Sequence, residues 1–169
     1  MAQVFLGIGS NTEREKHIRA GLEAIAKSFD WHQRSRIFCS ESVGFSGSDF
    51  YNLVVEVGTS RSVTEVLAEC KRIEQQNGRV PESAKYSPRT LDIDVLLYDG
   101  VIRAQQPQLP RAEILENAFV LWPLAEIAGD LLHPVLGISY QQLWKQYQAS
   151  NKQAPQQLEP IEDTRWLES

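Results

Sequence analysis

Hydrophobic and polar positions along this chain switch between a period of two and a period near 3.6, and the switches mark its elements. Residues 4–9 (VFLGIG) are an apolar run of strand length. Thr12 and Glu15 then stand at capping-box spacing. Ile18, Leu22, Ile25 and Phe29 recur at helical intervals, so the pattern predicts an amphipathic helix over 13–29. Residues 31–38 read as a polar extended strand and 40–49 as a Gly- and Ser-rich loop. Residues 50–57 alternate, with Leu53, Val55 and Val57 on one face of a strand. A second capping box, Ser62 with Glu65, opens a helix whose apolar stripe is Val63, Val66, Leu67, Cys70 and Ile73. Asn77-Gly78 closes it, because glycine takes the left-handed conformation past a helix end.

Residues 79–90 form a loop containing Pro81 and Pro88, and 91–98 read as a strand. Asp99-Gly100 predicts a hairpin turn, with Val101-Ile102 as a short return strand. A helical region over 113–128 is expected to be shortened or kinked at Pro123. A last helix over 139–148 presents Tyr140, Leu143, Trp144 and Tyr147. Residues 1–148 therefore read as one domain, and 149–169, polar with two prolines, as a loosely packed tail. Strand-helix-strand occurring twice predicts the α+β class. The expected architecture is a ferredoxin-like βαββαβ sandwich, an antiparallel sheet with helices on one face and additional C-terminal helices.

Composition narrows the function classes. At 169 residues, 42% hydrophobic and 23% charged, the chain can bury a core without staples. No apolar run approaches the roughly 20 residues of a membrane helix. The first residues lack a basic, long-apolar leader and read as a strand. Cys39 and Cys70 have no metal-ligand spacing and suit a reducing cytoplasm, with Cys70 on the apolar helix stripe. A net charge of −5 disfavours nucleic-acid binding, which rests on Lys and Arg at phosphates. A cytoplasmic monomer without nucleic-acid or membrane partners is expected.

The chemistry concentrates at Asp92-Ile93-Asp94. Strand alternation puts Asp92 and Asp94 on one face, with Cα atoms about 6.5–7 Å apart. Paired carboxylates repel unless a cation lies between them, and magnesium binds through one or two carboxylates plus substrate phosphates. The alternative is the solvated face of an edge strand. Arg79 and Arg89 flank the loop that leads into this strand, and guanidinium groups bind phosphate oxygens bidentately. Taken singly, each equally suits a surface ion pair. Together with the carboxylates they suit phosphoryl transfer, where the protein mainly positions groups and stabilises charge. There is no P-loop, and Gly7-Ile8-Gly9 lacks a third glycine and reads as a tight strand-to-helix turn. His17, His32 and His133 have no zinc spacing, and no Gly-x-Ser-x-Gly elbow is present.

The run SPRTLDIDVLLYDG, from Ser87 to Gly100, closely resembles the signature of the 6-hydroxymethyl-7,8-dihydropterin pyrophosphokinases of folate biosynthesis. Gly7-Ile8-Gly9-Ser10-Asn11, Phe50-Tyr51-Asn52, Arg72-Ile73-Glu74 with Gly78-Arg79, and Phe119 to Leu124 match in order over roughly residues 4–145. The resemblance implies transfer of pyrophosphate from ATP to the pterin hydroxymethyl group, releasing AMP. It implies that Asp92 and Asp94 hold two magnesium ions and that Asp94 helps orient the attacking hydroxyl. Arg79 and Arg89 would hold phosphates and steady the transferred group. Asn52 would bond the pterin edge, Phe50 and Phe119 would sandwich its ring, and backbone near Ser40 and Val43 would complete the pocket. Glu74 would support the nucleotide side, and the loop 79–90 would close over ATP with Tyr86 where the family often has Trp. Arg111 stands where the family usually has His, Asn117 at a family Arg, and Pro81 at a lid position that is often Arg. Those departures fall on the nucleotide side, where Arg111 restores a positive charge. The resemblance thus leaves two readings, a working enzyme with an altered ATP pocket or a divergent paralogue that binds pterin or nucleotide with little or no catalysis.

Overall fold

The computed structural model describes residues 1–40, 49–78, 90–150 and 158–168. In chain order the elements are β1 (Ala2–Ser10), α1 (Arg14–Ser28), β2 (Asp30–Arg34), β3 (Phe38–Ser40), β4 (Phe50–Thr59), α2 (Val63–Gln76), β5 (Asp92–Tyr98), α3 (Glu113–Glu116), α4 (Ala118–Ala128), α5 (Tyr140–Ser150) and β6 (Leu158–Pro160). A short 3-10 turn follows at Arg165–Leu167. The sheet runs β5-β1-β4-β3-β6, with β2 also paired to β4, and all the pairings are antiparallel.

Alternation along the central strands makes two cores. Val4, Leu6 and Ile8 of β1, with Leu53, Val55 and Val57 of β4, meet Ile18 and Ile25 of α1 and Val66, Cys70 and Ile73 of α2. The opposite face is also covered. Phe5, Val54, Leu96 and Leu97 pack under Ile114, Leu121, Leu124, Tyr140 and Leu143 of α3, α4 and α5. The ferredoxin-like order is therefore kept, and the C-terminal helices add a second layer where one helical face was expected. Burial pushes the Cys70 thiol up to about 12, so it serves as a small core residue.

Several local expectations are corrected by competing contacts. The expected strand over 31–38 is split, because the buried Ser35 hydroxyl accepts from the Val54 amide at 3.0 Å and donates to the Arg36 carbonyl at 2.7 Å. The Thr12–Glu15 capping box does not form. Glu13 is the N-cap in the left-handed region (φ 43°), and the Thr12 carbonyl is engaged by Ser10 Oγ at 3.1 Å and His17 Nδ1 at 2.6 Å. The Ser62–Glu65 box does form in both directions, and Gly78 takes a left-handed φ of 88° after α2. After Tyr98 the chain turns, but Val101-Ile102 form no strand, and the return is a single bridge between Arg103 and Leu109. The 113–128 region breaks at Asn117, which is extended, while Pro123 sits inside an unbroken α4. Lacking an N–H, Pro123 leaves the Phe119 carbonyl without its usual helical donor.

The C-terminal residues that are described pack rather than trail. β6 pairs with β3, Ile161 N donates to Ile37 O at 2.8 Å, and Ile161, Trp166 and Leu167 lie against the α1/α2 core. Polar composition hides this because only a few apolar anchors stand in an otherwise polar stretch.

An ion pair within α2 is hydrogen-bonded to the end of α1. Glu69 binds Arg72 through both carboxylate oxygens and accepts from Ser28 Oγ at 2.6 Å. Arg72 first, then Ser28, hold its carboxyl down at about 2 despite burial. A depressed carboxylate pKa stabilises the fold above the ordinary value, and that contribution fades as pH falls from 4.5 towards 2. Because Arg72 is half exposed, the screened contribution is about 1–3 kcal/mol. Glu69→Gln should lower the urea unfolding free energy by that amount at pH 7. The gap to the unsubstituted protein should shrink below pH 4.5, whereas a gap independent of pH would contradict this assignment.

Candidate active site

The sheet face opposite α1 and α2 carries a row of functional groups at one end. Ile93 and Val95 belong to the α1/α2 core, so Asp92 and Asp94 face the other way. On β4, Leu53 and Val55 likewise belong to that core, so Phe50 and Asn52 share the face of the aspartates. β1 runs between them. Gly9 pairs with Asp92 on one side and Asn52 on the other, and Gly7 pairs with Asp94 and Val54. The row Asp92–Gly9–Asn52 thus spans three strands, about 10 Å at ordinary strand spacing.

The two glycines clear the floor of this row. A Cβ at Gly9 would lie 2.8 Å from Asn52 Oδ1, and one at Gly7 would meet the Leu96 side chain at 3.4 Å. Both lie within β1, which corrects the reading of Gly7-Ile8-Gly9 as a strand-to-helix turn. The turn itself falls on residues 11–13. Only the register across three strands reveals this role, and a single strand's sequence carries no sign of it.

At the β4 end, Asn52 is buried and its Nδ2 donates to the buried Ser40 Oγ at 3.0 Å. Ser40 pairs with Phe50 across β3 and β4. Phe50 and Phe119 are both half-buried, Phe119 in the first turn of α4, which packs on β4. Behind them an aromatic ladder braces the helices: Phe38 to Trp122 at 4.7 Å, Trp122 to Trp144 at 5.2 Å and Trp144 to Tyr147 at 5.7 Å between ring centroids.

At the β5 end, two side chains occupy the free edge of the strand. Glu74 of α2 accepts from Ile93 N at 2.7 Å, between the two aspartates in sequence. Arg111 donates its backbone N–H to Leu96 O at 3.0 Å and its Nε to Val95 O at 3.0 Å. Its Nη2 lies 3.9 Å from Asp94 Oδ1, and its Nε lies 3.8 Å from Glu113 Oε2. The Arg111 side chain is 17% exposed, while Asp94 is 59% exposed. Arg111 is therefore a fixed cation beside an open carboxylate, a pairing the residue substitution alone did not reveal. Asn117 is the N-cap of α4, with Leu121 N donating to its carbonyl at 3.0 Å.

Among the described residues no group of three or more His, Cys, Asp or Glu is arranged to hold a metal. Two carboxylates on one strand suit a hard cation that completes its shell with substrate phosphates and water, and do not suit an all-protein cage. Two of the histidines are engaged elsewhere. His32 lies 3.1 Å from Glu56 and 3.5 Å from Asp30 at the far end of the sheet. His133 is buried and accepts from Val135 N and Leu136 N, each at 3.2 Å. A groove of about 900 Å³, lined by Phe5, Gln33, Glu56, Trp122 and Glu126, also lies at that far end and includes neither aspartate. Val43, Arg79, Tyr86 and Arg89 lie outside the described residues. No helix among the described residues is long and apolar enough to cross a membrane.

Known proteins resemble this chain over most of its length. Residues 5–129 match the family model of 7,8-dihydro-6-hydroxymethylpterin-pyrophosphokinase. A 2-amino-4-hydroxy-6-hydroxymethyldihydropteridine pyrophosphokinase of Aquifex aeolicus is 33% identical over 158 residues, covering 92% of this chain and 96% of the relative. One from Haemophilus influenzae is 32% identical over 139 residues, covering 79% and 86%. A solved Plasmodium falciparum HPPK-DHPS superposes with a TM-score of 0.75 at 13% identity, covering 95% of this chain and 49% of that one. That likeness supports the fold, and the chain spans about half of this larger neighbour. The extent of the family match, and a relative aligned nearly from end to end, show that the chain belongs to the 7,8-dihydro-6-hydroxymethylpterin-pyrophosphokinase family.

Proposed function

We propose that this protein transfers pyrophosphate from ATP to 6-hydroxymethyl-7,8-dihydropterin, the step of folate biosynthesis named by its relatives. The pterin hydroxymethyl oxygen bonds to the β-phosphorus, the bond from that phosphorus to the α–β bridging oxygen breaks, and AMP leaves with that oxygen. The hydroxyl proton passes to solvent water as the new ester forms. The observation that carries this reading is the row Asp92–Gly9–Asn52, which sets a carboxylate end and an amide end on either side of a glycine of β1.

Asn52, pre-set by Ser40, is suited to bond the pterin edge, with Phe50 and Phe119 on its ring faces. Backbone around Ser40 and Val43 would finish that pocket. We assign Asp94 to orienting the attacking hydroxyl. Arg79 and Arg89 follow Gly78 and precede Thr90 in the chain, and we assign them to the phosphates, with Tyr86 against the nucleotide. Arg111 adds a fixed positive charge at the same end. Glu74, whose carboxylate accepts from Ile93 N on the β5 edge, we assign to the nucleotide side. Magnesium, two ions with ATP, would be held by Asp92 and Asp94, and would screen phosphate charge and polarise the transferred group. We place the protein in the cytoplasm, where Cys39 and Cys70 remain thiols, and expect it to act as a monomer.

AMP formation from ATP, magnesium and the dihydropterin tests the reading. Turnover supports it, and absence of AMP with pterin binding retained would instead make the chain a divergent binding paralogue. Asn117 at a family arginine and Arg111 engaged with Asp94 are what favour that second outcome. Gly9→Ala adds a geometric test. The new methyl must displace the Asn52 amide, so pterin affinity should fall about tenfold, as for one lost hydrogen bond. Nucleotide affinity should be unchanged, and an equal loss of both would point to general sheet damage.

A further inference from the structure

We infer that residues 158–168 are a positioning element for the pterin half of the site, an inference that rests on the pterin reading above. The residues that would meet the pterin edge sit on a weak strand. β3 has three residues, and a strand so short frays unless both its edges are paired. One edge is bonded to β4 and the other to β6, which puts Ser40 between Phe50 and Leu158. Ser40 in turn holds the Asn52 amide, so β6 acts on Asn52 through a single intervening residue. Ile161 continues the brace by donating to Ile37 O at 2.8 Å.

A second grip reaches the same hairpin through β4. Trp166 stacks on Tyr51, with ring centroids 6.1 Å apart and planes 19° from parallel. Tyr51 lies between Phe50 and Asn52 in sequence and points to the opposite face of the sheet. The Arg14 guanidinium lies 4.0 Å from the same ring, and its Nη1 donates to Asp49 O at 3.0 Å. The C-terminal segment therefore touches the backs and edges of the residues that present Phe50 and Asn52, without entering their face of the sheet. β1 and β4 separate it from Asp92, Asp94 and Arg111 on β5 and its free edge.

The test compares the full chain with a variant ending at residue 157, and with Trp166→Ala and Trp166→Phe. Pterin affinity and magnesium–ATP-analogue affinity are each measured by calorimetry, and the Asn52 side-chain amide is followed by NMR. We expect the truncation to weaken pterin binding about tenfold or more, the equivalent of one hydrogen bond and one aromatic pair. Nucleotide affinity should stay within about twofold on the same scale. Trp166→Ala should give part of the loss, Trp166→Phe should restore it, and the Asn52 amide should shift in the truncated and Ala forms. If the truncated chain fails to fold, the two Trp166 variants decide the matter. Unchanged pterin affinity, or parallel loss of pterin and nucleotide, overturns the inference while leaving the pterin reading in place. A full chain that binds no pterin overturns both.

Discussion

Asp94→Asn should reduce turnover by about a thousandfold or more, the scale of removing a key charge-stabilising group from a transfer site. The substitution keeps the shape and one acceptor oxygen and removes only the negative charge. Asp94 is 59% exposed, so no buried charge is stranded by the change. Arg111, whose Nη2 lies 3.9 Å from Asp94, keeps its bond to Val95 O and its proximity to Glu113. The urea midpoint should therefore stay close to that of the unsubstituted protein while the rate of AMP release collapses. Turnover retained within about tenfold would deny Asp94 its place in the charge balance of the transfer.

Arg111→Met should act differently, on nucleotide binding and modestly on stability. Methionine approximates the aliphatic stem and removes the guanidinium. The backbone bond to Leu96 O survives, but the Val95 carbonyl on the sheet edge loses its donor. An unsatisfied group of that kind costs about 1–3 kcal/mol, and the lower end fits an edge that water can reach. Loss of one charge-assisted phosphate contact costs about 1.5–3 kcal/mol, or roughly tenfold to more than a hundredfold in ATP affinity. Arg111→Lys should recover part of the affinity through its charge but not the bond to Val95, since an ammonium lacks the planar fork. Calorimetry with an ATP analogue and magnesium separates these effects. Unchanged nucleotide affinity in Arg111→Met would show that the arginine only braces β5.

Alternation was enough to place the aspartates. Leu91, Ile93 and Val95 are apolar, so Asp92 and Asp94 had to share the other face, and the α1/α2 core bears that out. The same logic applied to Leu53, Val55 and Val57 puts Phe50 and Asn52 on that face too, although here the family resemblance and not the pattern singled them out. What was not legible is whatever depends on register or on tertiary partners. Gly9 becomes a spacer only because β1 pairs Asp92 with it on one side and Asn52 on the other. Ser35 breaks a strand because a buried hydroxyl competes for the Val54 amide. Asn117 breaks a helix that periodicity carries through, while the proline that should disturb it is accommodated. Leu158, Ile161 and Trp166 are too sparse to announce a packed segment, and they gain meaning only against β3 and Tyr51.

The central claim is that two carboxylates on one edge strand gather divalent cations together with a nucleotide. Manganese titrated into the protein in the presence of a non-hydrolysable ATP analogue, followed by electron paramagnetic resonance, reads it most directly. The account predicts tightly bound manganese that Asp92→Asn and Asp94→Asn each weaken strongly. Manganese bound equally well by both variants, or not retained by the protein beyond what the free nucleotide holds, would contradict it.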